Sequence, residues 1–370
     1  MLGLNRKHLE NFDKPLFAAI LILLSISVFA IYSAGYDPVT STVRNYYIKQ
    51  LFWSFLGILV FLAVSLIGHR RLVKISPWLY LLGLIALGIV LFMPPIMGAK
   101  RWIVLAGFRL QPSEFFKFVW ILILAKVFFD FDTSKLSFKK LAFNFVPVIP
   151  PFLLIFLEPD LGTAGTYIVV WAILVLFLGI RRWTFIILTV AALLAAPILW
   201  SQLKPYQQQR VLTFMNPEAD PFGSGYHVIQ SKIGIGSGGI MGKGFLEGTQ
   251  SHLKFIPERH TDFIFSVIAE ETGFAGAALV VMFFAYLVVR VMKIGHLANE
   301  PTGKIIPVVV SGIIFFQFYV NVAMTVGMMP VVGIPMPLVS YGGSSLLTFM
   351  AMLGLVNSVA MRRLELPGEQ

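Results

Sequence analysis

The sequence predicts an all-α integral membrane protein: one polytopic domain over residues 1–370, with about ten transmembrane helices and a large extracytoplasmic loop, 201–262, between helices 7 and 8. Three observations predict it. Hydrophobic residues make up 57% of the chain and charged residues 13%, with a mean hydropathy of +0.82, against the roughly 25% charge of soluble domains. Apolar runs of about 20 residues, the length that crosses a bilayer, recur along the whole chain. Lys and Arg gather in alternate short loops, the pattern that orients membrane proteins.

The apolar runs fall at 15–34, 50–68, 77–94, 113–130, 143–159, 163–180, 183–200, 263–292, 305–328 and 340–361. The first exceeds the roughly 7–15 apolar residues of a secretory signal core, so it is read as a retained helix. One set of connections holds Arg6, Lys7 and Lys14; Arg70, Arg71 and Lys74; Lys135, Lys139 and Lys140; Arg181 and Arg182; Arg290, Lys293 and Lys304; Arg362 and Arg363. An even helix count places all of these, and both termini, in the cytoplasm. The opposite side then carries 94–112, 158–162, 201–262 and the Pro-rich turn 329–338. Those segments hold Lys100, Arg101, Arg109, Lys204, Arg210, Lys232, Lys243, Lys254 and Arg259. Cations kept on the translocated side run against the orientation rule, and an anionic ligand is their simplest explanation.

Composition also excludes. The chain has no Cys, which removes disulfides, thiolate metal sites and a Cys nucleophile. Its six His are scattered without H-E-x-x-H spacing, which argues against zinc. The net charge of +11 lies largely in short loops, so topology rather than nucleic acid accounts for it. No internal repeat of the kind that builds many transporters is present.

Asp262 ends the long polar segment immediately before an apolar run, and two readings fit it. A carboxylate there caps a helix and complements its dipole; it also makes a positioned general base at a membrane surface. Glu114 and Lys117, at i,i+3, share a helix face as a local ion pair, and as intramembrane charges they are also functional candidates lining a polar cavity. Glu270 and Glu271, being adjacent, point about 100° apart on a helix, so at least one has a helix-packing role. Gly273 and Gly276 after them mark a kink or a close neighbour. The run Gly234 to Gly244 suggests a phosphate loop but fails its spacing, with five residues between Gly236 and Gly242 and no Ser or Thr after Lys243. It reads instead as a glycine-shaped loop packing over helix ends.

Near the C-terminus stands Asn321-x5-Gly327-Met328-x-Pro330-Val331-x-Gly333-Ile334-x3-Leu338-Val339-Ser340-Tyr341-Gly342-Gly343-Ser344-Ser345. This resembles the signature of the SEDS family of bacterial shape, elongation, division and sporulation proteins. Gly98 to Ile103, Gln111 to Glu114, Glu158 to Thr163 and Pro257 to Phe263 extend the resemblance over essentially the whole chain. The segment Gln207 to Gly248 is most similar to elongation-type members. Two positions depart from many relatives: Met97 stands where a polar residue is common, and Glu158 where some have Gln, which favours Asp160 over Glu158 for an essential role.

The resemblance implies a ten-helix glycosyltransferase in the bacterial cytoplasmic (inner) membrane. It would polymerise lipid II into peptidoglycan strands on the extracytoplasmic side, with a class B penicillin-binding protein, other elongation-complex proteins and membrane lipid as partners. Asp262 is the expected catalytic base. Lys117, Glu114, Arg101, Arg109, Arg210, Lys100, Asp160, Gln111, His260 and Ser344 are the expected substrate-binding residues; no metal ligand is assigned, and a divalent cation stays open as a cofactor. Two alternatives also stay open: a flippase for the same lipid, and a non-catalytic scaffold that activates the penicillin-binding protein.

Overall fold

In hydrocarbon, backbone N–H and C=O groups find no water, so apolar spans close their hydrogen bonds internally as helices. The computed structural model describes residues 10–38, 40–95, 99–105, 108–128, 138–180, 182–216, 224–252 and 258–363. Arg6, Lys7, Met97, Gly98, Lys135, Arg181, Lys254 and Pro257 lie outside the described residues.

The long helices are α1 (Lys14–Gly35), α2 (Tyr46–Ile67), α3 (His69–Val90) and α4 (Pro112–Val127), followed by the short α5 (Phe138–Phe145), which runs through a 3-10 turn into α6 (Ile149–Leu157). Next come α7 (Leu161–Leu178) and α8 (Arg182–Gln202), then α9 (Pro205–Met215), α10 (Ser224–Ser237) and α11 (Thr249–His252). The chain closes with α12 (Ile264–His296), α13 (Pro301–Thr325) and α14 (Gly343–Met361). Among the described residues, nine helical segments are long and apolar enough to cross a membrane; α4, at 16 residues, occupies the remaining expected span. The protein is a multi-pass membrane protein. Two small antiparallel hairpins join helices: Tyr36–Asp37 with Thr42–Val43 (β1, β2), and Ile103–Leu105 with Phe108–Leu110 (β3, β4).

α13 and α14 are mostly enclosed by other helices, whereas α8 is almost wholly exposed along its length. Close packing on α14 depends on two glycines: a Cβ at Gly57 would press on Leu346 and Met350, and one at Gly354 on the backbone of Phe61. The end of the bundle holding the C-termini of α2 and α14 carries Arg70, Arg290 and Arg362 of the basic set expected on one side. There Arg290 pairs with Asp13, Arg70 with Glu300, and Arg362 donates to Ser65 O and Leu66 O at 2.9 and 2.8 Å.

Segment 201–262 differs from its expectation as a polar loop. It contains α9, α10 and α11, so it is a folded cap rather than an extended connection. Both glutamates after it are buried with separate partners. Glu270 accepts from Lys243 Nζ at 2.7 Å and Glu271 accepts from Ser33 Oγ, as their 100° separation requires.

Candidate active site

The segment Glu258–Asp262 is held by the turn that joins α13 to α14. Asn321 Nδ2, buried on α13, donates to both Asp262 O (2.9 Å) and Ile334 O (2.8 Å), tying the two strands of chain together. Ser340 Oγ donates to Thr261 O at 2.6 Å, and Tyr341 N to His260 O at 2.9 Å. Gly333, at φ +71°, brings the backbone to the carboxylate: an added Cβ would stand 3.4 Å from Asp262 Oδ2. Asp262 is thus aimed by backbone bonds on three sides while its carboxylate stays half-buried.

The cap reading of this residue is corrected. The N-cap of α12 is Phe263 and no side chain caps the helix. Among the described residues no hydrogen bond or ion pair closes on the Asp262 carboxylate. Burial, and after it the Glu258 carboxylate, push its pKa up to about 6, against the lowering influence of Arg101 and Arg210. A carboxyl titrating near working pH and faced by cations has the character of a general base.

Asp160 forms the second anchor. It caps α7, accepting from Thr163 N (3.1 Å) and Thr163 Oγ1 (3.0 Å), and it accepts from Gln111 Nε2 at 3.2 Å. Arg101 Nη1 lies 3.7 Å from its Oδ2. Asp160 thus ties α7 to the start of α4. Arg101 stays partly exposed, with its buried Nε unpartnered. Arg210, exposed on α9, donates to Val331 O at 3.2 Å, which brings it over the same turn. Ser344 accepts from Gln111 N (3.2 Å) and donates to Arg109 O (3.4 Å), fastening α14 to the start of α4.

The structure thus brings Asp262, Asp160, Arg101, Arg210, Gln111 and Ser344 into one end of the bundle. The other expected residues have contacts of their own. Lys100 Nζ turns to Leu91 O at the end of α3 (3.1 Å). Arg109 contributes its carbonyl to Ser344, and its side chain is exposed. His260 stacks flat on Tyr46, ring centroids 4.4 Å apart, and burial lowers its pKa. Lys117 and Glu114 form an ion pair of 2.8 Å, both buried, with Lys117 5.4 Å over the Phe349 ring. That pair is enclosed by protein on every side.

Asn321, Gly333 and Ser340 lie in the C-terminal signature, but only the fold shows that they hold the Asp262 segment. Glu158, ranked below Asp160 on the sequence, stands next to it in the turn before α7. This carboxyl is fully buried, its oxygens meet no hydrogen-bond partner among the described residues, and burial lifts its pKa to about 8. Among the described residues no group of three or more His, Cys, Asp or Glu is arranged to hold a metal ion.

Fold and site together define a multi-pass membrane protein that presents one aimed carboxylate and two guanidinium groups at an end of its helix bundle. The family described as cell cycle protein, FtsW/RodA/SpoVE, matches residues 14–365, and the chain belongs to it. Peptidoglycan glycosyltransferase MrdB of Escherichia coli K12 is 39% identical over 356 residues, covering 95% of this chain and 94% of that protein. A solved chain of a peptidoglycan synthase complex, described as coordinating polymerization and crosslinking, matches with a TM-score of 0.82 at 32% identity, over 96% of this chain and 99% of its own. The crystal structure of the rod shape determining protein RodA of Thermus thermophilus matches with a TM-score of 0.71 at 28% identity, over 96% and 98%.

Proposed function

We propose that this chain is a peptidoglycan glycosyltransferase that polymerises glycan strands from lipid II during cell elongation. The observation that carries the reading is Asp262: a carboxylate in a segment held by three backbone clamps, closing no hydrogen bond or ion pair among the described residues, and subject to the charges of Arg101 and Arg210. The family and the glycosyltransferase relatives support the same reaction. The site would stand on the extracytoplasmic side of the bacterial cytoplasmic membrane, with both termini inside. The basic residues gathered at the opposite end of the bundle support that orientation.

In the proposed reaction, the acceptor GlcNAc 4-hydroxyl attacks the anomeric carbon of the undecaprenyl-diphosphate donor. The new C–O bond forms as the bond to diphosphate breaks, and inversion converts the α-linked donor to a β-1,4 linkage. Asp262 takes the hydroxyl proton. Arg101 and Arg210 stabilise the charge that grows on the departing diphosphate. A second carboxylic acid is not required, since diphosphate leaves readily. Lys117 is enclosed with Glu114, so its place here is to hold α4 and, through it, Gln111.

A class B penicillin-binding protein is the proposed partner, supported by the similarity to a synthase complex that couples polymerization to crosslinking. The test supplies labelled lipid II to purified protein, with and without that partner, and resolves products by gel. Glycan strands from wild type and none from folded, partner-binding Asp262→Asn are expected. Equal product from both would remove Asp262 as the base. No product from either, with a competent partner, would favour a flippase or a scaffold.

A further inference from the structure

The glycine-rich segment after α10 has no part in the reaction above, yet it is built into the membrane-spanning bundle. α12 breaks at Gly273 (φ 67°, ψ −166°), which leaves backbone groups on both sides of the break without helical partners. The loop 239–244 supplies them. Lys243 N and Gly244 N donate to Glu270 O and Glu271 O, each at 3.1 Å. Phe274 N and Ala275 N donate to Gly239 O (2.8 Å) and Ile240 O (3.0 Å). Only glycine allows this approach, because a Cβ at Gly238 or Gly242 would collide with the carbonyls of Ala269 or Glu271. The buried Glu270 carboxylate then locks the loop, accepting from Lys243 Nζ (2.7 Å), Gln250 N (2.8 Å) and Ser251 N (3.0 Å).

The depth of this loop follows from α1. Glu271 is bonded to Ser33, and the Phe245 ring stacks on Tyr32 (6.2 Å) and meets Phe29 edge-on (6.4 Å). These are the last two turns of a 22-residue apolar helix. At 1.5 Å per residue, Phe29 lies about 9 Å inside the end of α1, whose length of about 33 Å matches a bilayer core. At that depth Phe245 is 52% exposed, beside Phe29 at 64%; Ile240, whose carbonyl accepts from Ala275 N beyond the break, and Met241 are 72 and 82% exposed, and Phe274 72%. Lys243, the one charged residue between Gly234 and Leu246, is turned inward onto Glu270.

We propose that the tip Ile240–Phe245 is an interfacial membrane anchor, seated among the lipid acyl chains of the leaflet on the Asp262 side. Exposed apolar surface of this extent marks a contact. Lipid is the occupant because the patch continues directly into the lipid-facing residues of α1 and α12, and its single charge is withdrawn from it. The half-helix Ile264–Thr272, which leads from Asp262 to the break, is thereby held between the bundle and a bilayer-seated loop. The anchor stands apart from the proposed reaction and does not depend on it.

The absence of Cys makes the test direct. Met241→Cys and, separately, Ile240→Cys are spin-labelled in the full chain and reconstituted in phosphatidylcholine–phosphatidylglycerol vesicles. Collision with oxygen and with a water-soluble nickel chelate is then measured. Leu82→Cys, on an exposed apolar face of α3, serves as the lipid reference, and Gln209→Cys, exposed on α9, as the aqueous one. Labels at 240 and 241 are expected to match the lipid reference, with nickel accessibility about fivefold or more below that of the aqueous site. Nickel access equal to that at position 209 would overturn the proposal. So would shielding from both reagents, which would mean that protein, not lipid, covers the tip.

Discussion

At one end of α12, Arg290 grips Asp13 through hydrogen bonds of 2.9 and 2.7 Å, while Asp13 also caps α1 by accepting from Leu16 N at 2.9 Å. At the other end, Asp262 meets two guanidinium groups and two carboxylates without a closed ion pair among the described residues. The same residue types thus serve opposite ends differently. Where the carboxylate is closed in an ion pair, charge holds helices in register. Where the backbone is clamped and the carboxylate is left open, charge is held ready for a ligand, and the cost of burying it shows as a raised pKa. The enclosed Glu114–Lys117 pair belongs with the Asp13 end in this respect, despite its place near the site.

The sharpest break of this comparison is Asp262→Asn, which keeps the clamps and removes the base. Polymerisation is expected to fall about 10²- to 10⁴-fold with unchanged thermal unfolding, read by lipid II product gels beside a melting curve. Arg101→Ala is expected to lower the rate about 10²-fold, as loss of one transition-state donor does. Arg210→Ala, more exposed and more screened, should cost about tenfold, and its effect should shrink with salt. At the opposite end Arg290→Ala should do the reverse: stability falls by about 1–3 kcal/mol while the rate per folded molecule holds, as chemical unfolding and specific activity would show. If Arg290→Ala lost rate and not stability, the distinction between the two ends would fail.

Gly333→Ala tests the approach to Asp262. Its φ of +71° makes any side chain strained, a cost of about 1 kcal/mol or more, and activity should drop with it while the Asp13 end is unaffected. The smallest effect is on pH. The base must be unprotonated, so kcat/KM should rise as pH climbs through about 6 and level off above it. Arg101 lowers that pKa, so in Arg101→Ala the acid limb should move to higher pH; a shift to lower pH, or none, would remove Arg101 from the neighbourhood of the base.

Much of this was legible before any coordinates. The sequence singles out Asp262, Arg101, Asp160, Gln111 and Ser344, and the fold gathers them at one end of the bundle. The spans were legible because hydropathy is a local property, summed over neighbours in the chain. Chain order does not show which neighbour a residue meets: His260 stacks on Tyr46, 214 residues away, and Lys100 donates to Leu91 O, 9 residues away. Asp262 looked like a helix cap because position alone cannot show that Phe263 takes that place. The segment 201–262 reads as a polar loop because its helices are short and carry no bilayer-length signal.

The sequence by itself determined the membrane class and the order and approximate bounds of the spans, and it singles out Asp262 as a candidate. Each of these depends on residue type and nearby spacing. Only the tertiary structure decided which charges are spent and which are open: Asp13 with Arg290, Glu114 with Lys117 and Glu270 with Lys243 on one side, and Asp262 on the other. It alone decided that the glycine loop completes a broken helix at the depth of Phe29. The physical reason is that a charge's character, and a backbone group's partner, are set by what packs against them, and most of those partners lie tens to hundreds of residues away in the chain.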